Sequence, residues 1–209
     1  MRPITILVAS LAFARAWLPI VAPGRFSQAA RIRTRLAATS ETRWFDPIAE
    51  FGPLDEPRPD PATLPLLLML PGLDGSSVTG LVQFAELAQA YELRALAIGA
   101  ADRSPFGRLA ELAAAEAARA RARAPGRAVF VLGESLGAGV ALAAARALNA
   151  GGGAADGGGA ADGVVLVSPA TGWDRVWLGA NRERLAALPG PLFAIAIALS
   201  AYQLSLIHI

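Results

Sequence analysis

The 209-residue chain reads as an α/β protein built on a doubly wound, mostly parallel sheet. Three observations predict this. Short apolar runs of strand length alternate with stretches whose apolar residues recur at helical spacing. The first of these runs, LLLML, is apolar throughout and not at alternate positions, as in a strand buried on both faces. The segments between them are long enough for right-handed crossovers, which demand a parallel sheet covered by helices on both sides. Apolar residues make up 54% of the chain and charged residues 17%, so there is ample material for a core and the composition is far from that of a disordered chain.

The first such run is Leu66 to Leu70 (LLLML), closed by Pro71-Gly72 and a Gly-Ser cluster. Val78 to Tyr91 then carries apolar residues at 78, 81, 82, 84, 85 and 88, a helical spacing, and Leu93 to Ile98 (LRALAI) returns to strand length. Ser104 is placed to cap the next helix with Pro105 at its first position, and that helix runs to about Ala124, where Pro125-Gly126 stops it. Its Arg119, Arg121 and Arg123 read as a solvated face. Ala128 to Leu132 (AVFVL) is the third strand, Leu136 to Leu148 an alanine-rich helix and Val164 to Val167 (VVLV) the fourth strand. Between the last two lies 150–163, a duplicated GGGAAD unit too poor in side chains to pack. It is expected as a disordered insertion in which Asp156 and Asp162 are solvated.

Residues 1–40 read as a targeting segment. Arg2 precedes the apolar run Ile4 to Ala14 (ITILVASLAFA), which has the length of a signal-peptide core and is too short to span a bilayer, and Ala12-Phe13-Ala14 is a cleavage signal. From Arg15 to Ser40 come five arginines with serine and threonine and no acid, the composition of a transit peptide. A signal and a transit peptide in series resemble the plastid import signal of algae with complex plastids; a secretory leader followed by a basic linker is the alternative. Residues 41–63 contain Pro47, Pro53, Pro57, Pro59 and Pro61 and read as a lead-in, because each proline removes an amide donor and disfavours helix before it. The domain itself is expected over 64–209.

Charge follows the same division. Through Arg43, seven arginines face Glu41 alone, a net +6, whereas the remainder has twelve arginines against sixteen acids, a net −4. The folded part is mildly acidic and has no basic stripe, which argues against nucleic acid as a partner. The absence of cysteine excludes disulfides, thiolate metal sites and a cysteine nucleophile, and the single histidine, His208, excludes a multi-histidine metal centre. No metal and no cofactor are called for.

The chemistry gathers at Gly133-Glu134-Ser135-Leu136-Gly137, a G-x-S-x-G sequence lying between the AVFVL strand and a helix. That context defines the nucleophile elbow of α/β-hydrolases: Ser135 stands on a sharp strand-to-helix turn, and Gly133 and Gly137 leave room for the bend. The competing reading is a glycine-rich turn that binds phosphate, but neither the G-x-x-x-x-G-K-[ST] nor the G-x-G-x-x-G spacing is present. Pro71-Gly72-Leu73-Asp74-Gly75 follows the first strand, where this fold places its other oxyanion donor. The backbone amides of Leu73 and Leu136 would point at a carbonyl oxygen as it becomes an oxyanion, with Gly72 allowing close approach.

The segments LPLLLMLPGLDGSS, LAIGAADRSPFGRLAELAAAE, VFVLGESLGAGVALAAA and VVLVSPATGWDR occur in an order that resembles the esterase/lipase/thioesterase half of the plastid phytyl ester synthase and diacylglycerol-acyltransferase-like family, over about Leu64 to Pro189. The resemblance implies an α/β-hydrolase-type sheet, Ser135 as nucleophile, Leu73 and Leu136 as oxyanion donors, and transfer of fatty acyl groups to phytol or diacylglycerol. It also implies a lipid or acyl-thioester substrate (acyl carrier protein, coenzyme A or galactolipid as donor) and work at a plastid membrane or plastoglobule surface.

The fold's triad runs Ser, then Asp or Glu, then His, with the last two on the final strands. Here 74 residues follow Ser135 and His208 stands one residue from the end, where fraying opposes a positioned base. Asp174, just past the SPAT turn, is the best available acid, and it competes with a reading as the start of a cap region. The sheet is therefore expected to be C-terminally truncated, with an unpaired apolar edge after its fourth strand. For the uncharged stretch Pro191 to Ile209, a cap helix over an acyl-binding cleft, a transmembrane anchor and a non-native tail all remain open. Two functions of different class follow: a serine acyl-transfer or ester-hydrolysing enzyme, or a non-catalytic lipid-binding module of hydrolase type.

Overall fold

The computed structural model describes residues 5–9, 41–51, 57–72, 75–81, 83–99, 101–151, 161–170, 180–189 and 192. The chain forms two compact units, Met1–Pro169 and Ala170–Ile209. In the first unit the elements run β1 (Thr5–Ala9), β2 (Arg43–Phe45), α1 (Pro47–Phe51), β3 (Leu66–Leu70), α2 (Phe84–Ala90), β4 (Glu92–Ala97), α3 (Phe106–Arg123), β5 (Val129–Glu134), α4 (Leu136–Gly151) and β6 (Gly163–Val167). Short 3₁₀ turns at Pro61–Thr63 and Val78–Gly80 precede β3 and α2. The strands form one sheet in the order β1-β6-β5-β3-β4-β2. β2 is antiparallel to β4, and every other pair of neighbours is parallel, so the α/β, mostly parallel architecture is present.

β3 lies at the centre, and all five of its residues are buried. Its side chains alternate between two cores, as the pleat dictates. Leu66, Leu68 and Leu70 pack with Val129, Val131 and Val164 beneath α3 and α4. Leu67 and Met69 pack on the opposite face with Phe45, Phe84 and Leu93 beneath α1 and α2. The helices on the first face meet the sheet through small residues, Ala110, Ala113, Ala117 and Ala120 from α3 and Ala138, Ala141, Ala144 and Ala145 from α4, which lets them sit close against the leucines and valines of the strands. Burying a leucine such as Leu68, with no exposed surface, contributes about 2 kcal/mol. The sheet is thus doubly wound.

Several local details differ from the sequence expectation. The proline-rich lead-in contributes β2 and α1 to the fold, since Trp44 and Phe45 pack on the two cores and Asp46 Oδ1 accepts the Ile48 amide at 2.8 Å. The Val78–Tyr91 helix is shorter, its first turn being 3₁₀. Ser104 does not cap α3; Asp102 Oδ1 accepts the Ser104 amide at 2.6 Å instead. Asp162 is not solvated: its Oδ2 accepts the Arg121 guanidinium at 2.7 Å and the Val129 amide at 2.8 Å, and Arg121 is accordingly withdrawn from the solvated face. Arg127 donates to the carbonyls of Leu64 and Pro61, each at 2.8 Å, and pairs with Glu92 at 2.6 Å, fastening the entry to β3.

The edge of the fourth strand is also occupied. β1 runs parallel to β6 from Thr5↔Gly163 to Ala9↔Val167, and these five residues come from the apolar run read as a leader core. The rest of the targeting segment and most of the 150–163 insertion lie outside the described residues. In the second unit, α5 (Arg182–Ala186) begins after Asn181, whose carbonyl accepts the Leu185 amide at 2.9 Å. Of Pro191 to Ile209 only Leu192 is among the described residues, and no helix among them is long and apolar enough to cross a membrane.

The loop between β4 and α3 is held by Asp102. Its carboxylate accepts the Thr42 hydroxyl, and Thr42 Oγ1 in turn accepts the Gly99 amide at 3.1 Å, which joins the start of β2 to the end of β4. The hydrogen bonds from Thr42 and Ser104, aided by the neighbouring Arg103 charge, hold the Asp102 pKa below its ordinary 3.8. A depressed carboxylate pKa contributes stability that is whole above the unfolded-state value and is lost as pH falls through the folded-state value. Asp102→Asn should therefore lower Tm near neutrality, and the gap between wild type and variant should close on acidification below about pH 4; thermal melts across this range check it, and a gap independent of pH contradicts it.

Candidate active site

The connection after β3 leads to α2 on one face of the sheet, and the connection after β5 leads to α4 on the other. β3 and β5 are adjacent, so their carboxyl ends flank a topological switch point, where open α/β sheets leave a crevice for ligand. Ser135 stands on this rim, in the turn between β5 and α4.

Its backbone is strained, with φ +51°, a left-handed conformation that costs a serine on the order of 1–3 kcal/mol. The surroundings impose it. A Cβ on Gly133 would lie 2.2 Å from the Gly137 carbonyl oxygen, and one on Gly137 would lie 2.4 Å from the Leu70 oxygen and 2.5 Å from the Pro71 oxygen. Both glycines are obligatory on steric grounds: Gly133 lets β5 fold back against α4, and Gly137 lets α4 rest on the end of β3. The Ser135 amide donates to the Val167 carbonyl at 2.9 Å, tying the turn to β6, and its own carbonyl accepts the Ala138 amide at 3.1 Å. With its N–H engaged and its φ fixed, Ser135 has only its side chain free to vary.

The non-glycine residues with left-handed φ among those described are Ser77, Ser135 and Ser168. All three stand at the carboxyl edge of the sheet. Ser168 follows β6 directly, and Ser77 is buried with its Oγ donating to the Leu96 carbonyl at 3.2 Å near the end of β4. Strained backbone concentrated on one edge is the signature of a site held by its scaffold.

Of the anticipated oxyanion donors, Leu136 is the first residue of α4 and is 36% exposed. The first amides of a helix lack intrahelical partners and carry its positive dipole end, so the Leu136 N–H suits a developing negative charge. Leu73 lies outside the described residues. Gly72 is buried, and its carbonyl accepts the Gly75 amide at 3.1 Å, closing the turn after β3 beside the elbow. Asp174 and His208 lie outside the described residues. Thr79, whose hydroxyl donates to the Glu134 carboxylate, carries no signal in the sequence. That bond ties the loop after β3 to the residue preceding the serine, and a pair 55 positions apart shows only once the strands are registered.

A half-buried serine on a rigid turn, a helix N-terminus beside it and a position at the switch point of the sheet suit nucleophilic attack on a carbonyl carbon with stabilisation of the resulting oxyanion. No family model matches the chain. Over 159 residues, 76% of its length, it is 30% identical to "Phytyl ester synthase 1, chloroplastic" of Arabidopsis thaliana, and over 100 residues, 48% of its length, it is 32% identical to "Phytyl ester synthase 2, chloroplastic" of the same plant. The matches cover 20% and 13% of those proteins, so the chain spans about a fifth or less of the relatives it matches. The chain has a family relationship to the phytyl ester synthases.

The elbow makes a sharp demand on Gly137. Replacing it with alanine places a methyl carbon inside the van der Waals envelope of the Leu70 and Pro71 oxygens, neither of which is a flexible side-chain end. Gly137→Ala should cost at least about 2 kcal/mol in chemical denaturation. A loss under about 0.5 kcal/mol would mean that the helix does not rest on the end of β3 in this way.

Proposed function

We propose that this chain carries the nucleophile of a serine acyl-transfer site of the α/β-hydrolase type acting on lipid substrates. Ser135 Oγ attacks the carbonyl carbon of an acyl donor, its proton passes to a histidine base, and the carbonyl electron pair moves onto oxygen. The Leu136 amide, with that of Leu73 as its partner, donates to this oxyanion. Collapse breaks the bond to the donor's alcohol or thiol, which leaves with the proton, and the acyl group remains as an ester on Ser135. An alcohol, phytol or diacylglycerol, then attacks the same carbon and releases Ser135; water in its place gives hydrolysis.

The observation that supports this reading most strongly is the left-handed Ser135 between two glycines that admit no side chain. The relationship to phytyl ester synthases supports a lipid acyl substrate and an apolar alcohol as acceptor. The acid-free arginine tract before residue 41 and the chloroplastic names of the relatives support action in a plastid, at a membrane or plastoglobule surface. By the resemblance, Ser135 works with a histidine base and an acid partner, and Asp174 is the best available acid in this sequence.

In the protein at its natural length, a fluorophosphonate probe should label Ser135, and Ser135→Ala should abolish the labelling. Acyl transfer from a lipid donor should fall by at least about a thousandfold in that variant. Full transferase activity in Ser135→Ala would assign the chemistry to another part of the protein and leave this unit as a lipid-binding module.

A further inference from the structure

We propose that Phe106 selects the acyl group by chain length, its ring forming with Leu136 and Leu142 the apolar wall along which a chain attached at Ser135 lies. This rests on the acyl-enzyme reading above. The inward positions of α4 are Ala138, Ala141, Ala144, Ala145 and Leu148, all buried, so helical geometry turns Leu136, Gly139 and Leu142 outward. These three are neighbours at i, i+3 spacing, and the row starts next to Ser135. Leu136 is 36% exposed, Leu142 43% and Phe106 47%. Scattered apolar exposure is ordinary, but three large side chains along one helix face, in a row that starts beside Ser135, form a patch.

Phe106 joins this row from the neighbouring helix. It is the first residue of α3, which starts at the same edge of the sheet as α4. A Cβ on Gly139 would lie 3.3 Å from Phe106 Cε2 and 3.4 Å from Cζ, so the ring rests on the gap between Leu136 and Leu142 that glycine leaves. Its approach is set from behind: Asp102 holds Thr42 and the Ser104 amide, and Pro105 enters the helix at φ −65°. The outward face of α4 stays apolar from Leu136 as far as the exposed Arg146, about 15 Å along the axis at 1.5 Å per residue. An extended hydrocarbon chain fits such a row, whereas a short or polar group leaves Phe106 and Leu142 uncovered.

Ethyl and dodecyl fluorophosphonates test this on the natural-length protein. Each forms a bond from Ser135 Oγ to phosphorus as the P–F bond breaks, releasing fluoride and the hydroxyl proton, so the two differ only in the chain laid down. Wild type should react faster with the dodecyl probe. Phe106→Ala should slow the dodecyl reaction about tenfold and leave the ethyl rate within about twofold, while Phe106→Leu retains most of the preference. Leu142→Ser, an exposed position that does not endanger the fold, should lower the dodecyl rate about threefold with the ethyl rate unchanged. An unchanged dodecyl-to-ethyl ratio in both Phe106→Ala and Leu142→Ser overturns the proposal and leaves Ser135 as nucleophile. If neither probe labels wild type, the acyl-enzyme reading falls, and this proposal with it.

Discussion

The architecture turns on one contact, the approach of α4 to the end of β3 at Gly137. The Leu70 and Pro71 oxygens stand where a Cβ would be, so the first turn of α4 is pressed onto the central strand with backbone meeting backbone. Everything at the rim follows. With the helix that close, the connection from β5 has a single residue in which to turn, and Ser135 takes a left-handed φ of +51°. Gly133 provides the clearance on the other side of the bend. The Ser135 amide, bonded to Val167, fixes the turn against β6, so three parallel strands share in positioning one hydroxyl.

Strain of this kind persists only where the surroundings over-determine it. The two cores supply that. β3 contributes leucines to one and Leu67 and Met69 to the other, while alanine-lined helices close down on the first face. Each fully buried leucine contributes about 2 kcal/mol, comparable to the conformational cost at Ser135. Arg127 is spent on the start of β3 and Arg121 on Asp162, both away from the rim. At the rim itself Glu134 is engaged by Thr79 and Asp102 by Thr42 and the Ser104 amide, beside strained serines, exposed apolar side chains and a helix N-terminus.

Much of this was legible in the sequence because it is local. Continuous apolar runs gave β3 to β6 within a residue or two, and the G-x-S-x-G spacing between strand and helix placed Ser135 at the turn. What escaped was non-local. β2 and α1 hide among prolines, and their place is decided by Phe45 and Trp44 finding the two cores. Asp162 looks solvated inside a Gly-Ala repeat, yet Arg121, 41 positions away, meets it once α3 lies on the sheet. The pairing of β1 with β6 joins residues about 158 positions apart, beyond any pattern of period 2 or 3.6. Thr79, Thr42 and Phe106 likewise gain their roles only from what the fold sets beside them.

Covalent catalysis by Ser135 is the proposal for this chain, which is related to the phytyl ester synthases. The most direct measurement is to mix the natural-length protein with a radiolabelled acyl donor in the absence of acceptor alcohol, quench in acid within the first turnover and map the label by peptide mass spectrometry. The expected result is one acyl group in ester linkage on Ser135, which disappears when phytol or diacylglycerol is added before the quench. Label on a different residue, or transfer at full rate with no acyl-enzyme at any time before the quench, would contradict it.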